Sequence, residues 1–451
     1  MHPCPITGTV NVSADATSFS GTWTAPTCQP GSISATRYAS DPAKNLGDGA
    51  RCSAGEGTPG GGSRSASGGS ASAKPGATCA EQQGATSFGD PINSSNGNSY
   101  HQEDDYLASS WLTFRRFYNS DSAVAPASIG IQWRHSFDRS LTIYGNPVST
   151  IVMVRPDGKQ ETFTKANGAW STELSVDQLT ETDNAQGVAT SYSAFIGANR
   201  RTETYDATGK LLTVTAESGQ GITLTYSTAA TPTSVAPRAG MLLAVTDPQG
   251  RQLNFTYDYS TGRLYKVTLP DGGTLIYSYD TTSSNLVSVQ YPDTKTRQYV
   301  YNESSLTSGA NLPNAMTGII DEKGVRYETT TFDSTGRATS STFAGAVGTT
   351  QVTYNADGTS SVTFPLGHTA NFGLTTADGL GRVGTLDQPC GPDCGQPWRT
   401  RTYDSNGYPA SYTDFNNITT QVSYDAYGLL NQQIDALGTN NQRTTATSWN
   451  T

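Results

Sequence analysis

Charge of either sign is scarce here. Charged residues make up only 15% of the 451-residue chain, and its 28 lysines and arginines form no cluster. Phosphate backbones are held by Lys/Arg-lined surfaces, so this composition, with a formal net charge of −10, argues against a nucleic-acid partner. Histidine is scarcer still. His2, His101, His135 and His368 share no ligand spacing, and no Cys–His group has the pattern of a zinc site, so neither a metal nor a cofactor is expected. No apolar run approaches the ~20 residues of a membrane-spanning helix. Phosphate loops, Gly-x-Ser-x-Gly elbows and His-Glu-x-x-His pairs are missing. Helical periodicity is nearly missing too, with at most one short turn over Val176–Thr182. Met1–Val10 has neither the basic nor the apolar region of a cleaved signal peptide.

Glycine, serine, threonine, asparagine and tyrosine are used heavily, and they are ordered. A Tyr-Asp pair followed by a glycine recurs at Tyr205, Asp206 and Gly209; at Tyr403, Asp404 and Gly407; and at Tyr424, Asp425 and Gly428. Looser copies are Tyr257, Asp258 and Gly262; Phe332, Asp333 and Gly336; and Tyr354, Asn355 and Gly358. A second turn type lies between them, as in Asp247-Pro248-Gln249-Gly250, Pro270-Asp271-Gly272-Gly273 and Asp321-Glu322-Lys323-Gly324. Apolar and polar residues alternate after these turns: Leu253, Phe255 and Tyr257 on one face, Asn254 and Thr256 on the other. Period two in Tyr, Val and Thr marks half-buried strands. Glycine supplies positive φ in the turns, and Asp bonds the backbone two residues on. The repeat is therefore a β-hairpin of about 21 residues, too small to stand alone, so neighbours must pair. The expected fold is all-β, a continuous sheet of antiparallel hairpins. Val289–Tyr301 lacks the first glycine turn and has Asn302 in place of the aspartate, which predicts a degenerate hairpin rather than a different fold.

Three regions are expected. Residues 1–81 hold Cys4, Cys28, Cys52 and Cys79 and a Gly/Ser-rich linker, the cysteine usage of an exported segment. Residues 84–204 form a β-rich module, and residues 205–451 form the hairpin array. In the module, Gly89-Asp90-Pro91-Ile92, Gly97-Asn98, Asp105-Tyr106, Leu112 to Ser120 and Trp133-Arg134-His135-Ser136-Phe137 follow one another. Arg115, Arg116, Arg134 and Arg139 can pair with Glu103, Asp104 and Asp105 and orient the module against the first repeats; as exposed pairs they would contribute little. This order of motifs, followed by the Tyr-Asp grammar, resembles the Rhs/YD-repeat family. Its members include bacterial Rhs proteins, wall-associated relatives, components of insecticidal toxin complexes and animal teneurins. The resemblance implies a sheet coiled into a hollow shell that encloses a C-terminal toxic domain. The implied partners are that cargo, further repeats of a longer chain and an export machinery, at an extracellular or cell-surface location. The abrupt end, in a turn opened by Asp435-Ala436-Leu437-Gly438, reads as a fragment of a larger protein.

Few residues invite chemistry. His135 beside Ser136 suggests a nucleophile and its base. Adjacent strand residues point to opposite faces, so a buried, hydrogen-bonding histidine is the expectation. Cys390 and Cys394 flank a Gly-Pro turn and can close a small disulfide loop or hold half a metal site; with no second ligand pair nearby, the disulfide is preferred. The turn aspartates lack the calcium-repeat and EF-hand patterns and are read as backbone caps. Asp333-Ser334-Thr335-Gly336 resembles an aspartic-protease turn but has no second copy. No catalysis is expected. The alternative to a toxin scaffold is a surface module whose exposed tyrosines stack on sugars.

Overall fold

A computed structural model describes residues 7–12, 18–25, 28–36, 87–88, 92–107, 111–120, 128–158, 160–172, 177–197, 199–377, 380–389, 398–404, 408–425 and 429–449. Among these, the regular structure is strand except for two short 3-10 segments, Ser304–Leu306 and Ala344–Ala346. Twenty-three strands, from Gln178–Asp183 to Arg443–Ala446, form one antiparallel sheet in strict sequence order. The first strand does not pair with the last, so the sheet is not closed into a barrel. Every connection joins neighbours, as local hairpin grammar requires. The segment expected to hold at most one helical turn instead supplies the first strand, Gln178–Asp183. Leu179 faces inward between Gln178 and the β-branched Thr180, a period-two pattern that pairs with Ala194. The degenerate hairpin also holds: Thr294 takes the left-handed position of the missing glycine at φ 69°, and Tyr291 N–H bonds the Lys295 carbonyl across the turn.

One face of the sheet is apolar. Val245, Leu253, Phe255, Val267, Leu275, Tyr277, Val289 and Ile319 are buried on it. What buries them is the preceding segment of the chain, which makes two small sheets. Tyr100–Leu107, Thr113–Asn119 and Trp133–His135 form one; Ser140–Gly145, Val148–Val154, Gln160–Ala166 and Ala169–Ser171 form the other. Phe114, Tyr118, Trp133, Phe137, Met153 and Phe163 join the same apolar cluster as the long sheet. A second cluster continues along the sheet from Phe332 to Trp398 and includes Ile92.

The sheet must be strongly curved. Arg201–Asp206 and Ala338–Phe343 are its third and fourteenth strands, eleven spacings apart. Laid flat, they would be about 50 Å apart. A short chain of contacts nevertheless joins them. Ala338 N–H bonds the Gly97 carbonyl at 2.8 Å, Asn98 Nδ2 bonds Asn119 Oδ1 at 3.0 Å, and Asn119 Nδ2 bonds the Asp157 carbonyl at 2.9 Å. Two residues back, the Arg155 guanidinium bonds Glu203 on the third strand. Those side chains, bonds and backbone steps reach about 30 Å at most. The sheet is bent around the segment it contacts.

Candidate functional site

The repeat's chemistry is concentrated at one rim of the sheet. Asp206 Oδ1 accepts the N–H groups of Thr208 at 2.8 Å and Lys210 at 3.1 Å, and Gly209 lies at φ 84°. Asp258 caps Ser260 and Thr261, Asp333 caps Thr335 and Arg337, Asp404 caps Tyr408, and Asp425 caps Leu429. Gly262 and Gly336 also hold positive φ, whereas Gly407 and Gly428 lie outside the described residues. These aspartates are spent on their own turns. The hydroxyl of Ser260 and the Thr261 N–H hold the Asp258 carboxyl at about 2, below its ordinary 3.8. A carboxyl lowered on folding stabilises the turn fully above its unfolded value and loses that contribution as pH falls through the folded one. Amide exchange in the Asp258 turn is therefore expected to accelerate between about pH 4 and pH 2, and Asp258→Asn, an uncharged cap, should abolish that window. An unchanged pH profile in the variant would show that the turn does not depend on the charge.

The repeated tyrosine has a specific partner. Pairing with the following strand begins two residues into each strand, as at Ala244↔Asn254 and Lys266↔Ile276, so the carbonyl of the strand's opening leucine lies outside the ladder. The tyrosine hydroxyl ending that following strand donates to it. Tyr226 bonds Leu211 O at 2.6 Å, Tyr257 bonds Leu242 O at 2.9 Å, Tyr279 bonds Leu264 O at 2.7 Å and Tyr301 bonds Leu286 O at 2.8 Å, each across 15 residues. Tyr354 and Tyr403 do the same to Ala338 O and Val383 O. At Leu430 the donor is the indole Nε1 of Trp449. Burial pushes the Tyr257 and Tyr354 hydroxyls up, so they remain donors. The Lys or Arg after a turn glycine stacks on one of these rings, Lys210 on Tyr226, Arg263 on Tyr279 and Arg337 on Tyr354, and Arg382, inside the strand Leu380–Leu386, lies over Tyr403. Tyr205 and Phe332 depart from this. Tyr205 donates to Glu203, and Phe332, buried, has no hydroxyl to give. Tyr257→Phe should cost about 1–3 kcal/mol by leaving the Leu242 carbonyl without its partner, whereas Tyr259→Phe, at an exposed ring, should be silent. Equal urea midpoints for the two variants would refute that role.

The four arginines of the module are buried, and two of them form pairs that the sequence left open. Arg115 pairs with Asp104 at 2.7 Å, and Arg116 is fully enclosed against Asp105. Arg139 goes instead to Glu203 on the long sheet, and Arg134 to the Asp138 carbonyl. Nor is the contact confined to the first repeats. Arg116 bonds Tyr299 and lies over the rings of Trp133, Tyr277 and Tyr299. Glu103 pairs with Arg297, and His101 stands between Glu103 and Glu328. Burial alone would raise the Glu103 carboxyl, but His101, Arg116 and Arg297 hold it well below the carboxylate range. Tyr277, Arg297, Tyr299 and Glu328 of the array, and Glu203 on the third strand of the long sheet, therefore meet these residues, and none was identifiable from spacing.

His135 is placed as a structural group. Its neighbour Ser136 lies beyond the strand and accepts the Arg115 N–H. Ser128 Oγ stands 3.5 Å from His135 Nε2 and Asp138 Oδ1 3.2 Å from the same nitrogen, a superficial Ser-His-Asp set. In a working triad the acid holds the nitrogen opposite the nucleophile. Here Nδ1 accepts the Phe137 N–H, so Nε2 carries the proton and faces the carboxylate. Burial pushes the imidazole down, and it stacks on Phe255. Cys390 and Cys394, like Cys4, Cys52 and Cys79, lie outside the described residues, and of Cys28 only the strand is described. Among the described residues, no group of three His, Cys, Asp or Glu is placed to hold a metal, and no helix is long and apolar enough to cross a membrane.

Two family models match. The Teneurin YD-shell model covers residues 149–322, and a domain of unknown function (DUF6531) covers residues 89–163. No curated protein matches. Among solved structures, a TcdB2-TccC3-TEV crystal structure aligns at 11% identity over 72% of this chain and 22% of the other, with a TM-score of 0.32. A Photorhabdus luminescens Tc holotoxin pore with a TccC3 mutation aligns at 15% identity over 82% and 18%, also with a TM-score of 0.32. The chain spans about a fifth of the length of these structures.

Proposed function

Because this chain belongs to the Rhs/YD-repeat family, we propose that it is a wall section of an encapsulating scaffold for a secreted polymorphic toxin, enclosing a C-terminal cargo that lies outside these 451 residues. The observation that carries this reading is the single sequential sheet, bent with its apolar face inward. A wall of this kind acts by exclusion. Its ladder hydrogen bonds are satisfied within the wall, and a cargo behind it cannot meet its target. The scaffold needs no catalytic group of its own. Partners on this reading are the cargo, further repeats that extend the wall and an export machinery that delivers it outside the cell or to its surface.

The test uses the full-length product of the native gene. Limited proteolysis should leave the segment beyond residue 451 intact as long as the β signal persists, and expose it when the wall is melted. Cleavage of that segment at the rate of a free peptide, with the wall folded, would overturn the reading. A surface sugar-binding module is the second reading, favoured by Tyr259, Tyr265 and Tyr327, exposed by 69%, 46% and 41%. Reproducible hits on a glycan array, lost on changing those three tyrosines to alanine, would favour it over encapsulation.

A further inference from the structure

Hairpin pairing fixes each strand only to its two neighbours and leaves the curvature of the whole open. The contacts that span many strands run instead from the module before the array. Arg139 and Arg155 hold Glu203; Ser128 accepts the Leu264 N–H; Ser284 accepts the Ile131 N–H. Asp105 and Arg116 take Tyr277, Tyr291 and Tyr299. The Tyr118 hydroxyl donates to the Asn314 carbonyl and accepts the Met316 N–H; His101 faces Glu328; the Ser94 carbonyl accepts the Ser360 hydroxyl. The two ends of this series run in opposite directions: residue 203 is held from residues 139 and 155, and residue 360 from residue 94, with the partners of the strands between drawn from residues 101 to 131.

We propose that this module is an internal spine that sets the curvature of the hairpin sheet, the strands supplying stability and the spine supplying shape. It braces the third to the sixteenth strands. Phe372, Val383 and Leu386 are still buried beyond Ser360–Thr363, but past Trp398 the inward residues Tyr412 and Tyr424 are only half-buried. That stretch takes its curvature from its neighbours. The device is independent of any cargo, so it stands or falls apart from the encapsulation reading.

The test uses the 451-residue chain with two alterations of the spine. Asp105→Asn with Arg116→Met replaces a central ion pair by neutral groups, and Tyr118→Phe removes only the hydroxyl shared with Asn314 and Met316. Val422→Ala, in the unbraced stretch, is the control. Solution scattering should give a larger radius of gyration for both spine variants and an unchanged one for the control. The far-UV β signal and the amide protection of the Thr369–Leu386 hairpin should persist. Exchange in Met316–Ile320 should quicken by about tenfold in Tyr118→Phe. An unchanged radius in Tyr118→Phe, or a radius that grows only in step with loss of the β signal, would overturn the proposal, because the module would then be ordinary core. The hydroxyl variant keeps the test decisive if the double variant does not fold.

Discussion

Replacing Arg116 by methionine alone should destabilise the protein by about 3–5 kcal/mol, the cost of leaving a buried charge without its counter-ion. The charge left behind is Asp105, whose side chain is fully enclosed and is bonded by Tyr277 at 2.9 Å and Tyr291 at 3.2 Å. Two tyrosine hydroxyls stabilise an isolated carboxylate far less than a guanidinium that also lies over three aromatic rings. Adding Asp105→Asn should recover much of the loss, because the pair then leaves together and no charge is stranded. Urea unfolding of the two variants checks this. A single-variant loss under about 1 kcal/mol would mean that water reaches Asp105 when Arg116 is gone.

Gly209→Ala should be nearly as damaging, and for a different reason. A Cβ at this position would sit 2.0 Å from the Leu141 carbonyl oxygen, where the Gly209 carbonyl accepts the Leu141 N–H at 2.8 Å. The residue also holds φ 84°, which alone costs an L-residue about 1–2 kcal/mol. Gly250→Ala isolates that second contribution, since Gly250 holds φ 77° with open space where its Cβ would point. The expected result is a loss of about 1 kcal/mol at Gly250 and at least twice that at Gly209, with faster amide exchange along Ser140–Gly145 in the second variant only. Equal losses would show that the turn near Leu141 gives way without penalty.

Much of the wall was legible in the sequence. Alternation at Leu253, Phe255 and Tyr257, and glycine turns after each aspartate, depend on forces acting within a few residues, so spacing reveals them. Val176–Thr182 was misread because one turn of weak periodicity cannot outweigh the pairing of Leu179 with Ala194 on the next strand. The interior was not legible. Arg116 and Tyr299 are 183 residues apart, and nothing local distinguishes an arginine in a buried aromatic cage from one on a wet surface. The hydroxyl caps fall between these cases. A leucine followed 15 residues later by tyrosine is a visible period, but its meaning depends on knowing which carbonyls the ladder omits.

Those caps also determine where the array can change length. The distance that each hydroxyl must span is counted from a leucine to the tyrosine ending the next strand, and it includes only the turn opposite the Tyr-Asp rim. The return path from tyrosine to the next leucine crosses the other turn and is bound by no such count. It runs directly from Tyr257 to Leu264, yet carries an extra loop between Tyr226 and Leu242 and another, with the segment Ser304–Leu306, between Tyr301 and Met316. A repeat that keeps the cap provides a donor to the one before and an acceptor to the one after, so such a repeat can be gained or lost without orphaning a carbonyl. Variation in such a wall should accumulate as loops on the Tyr-Asp rim and as changes in repeat number, while the opposite rim stays short wherever the cap counts 15 residues, the connection between Val383 and Tyr403, 20 residues apart, being an exception.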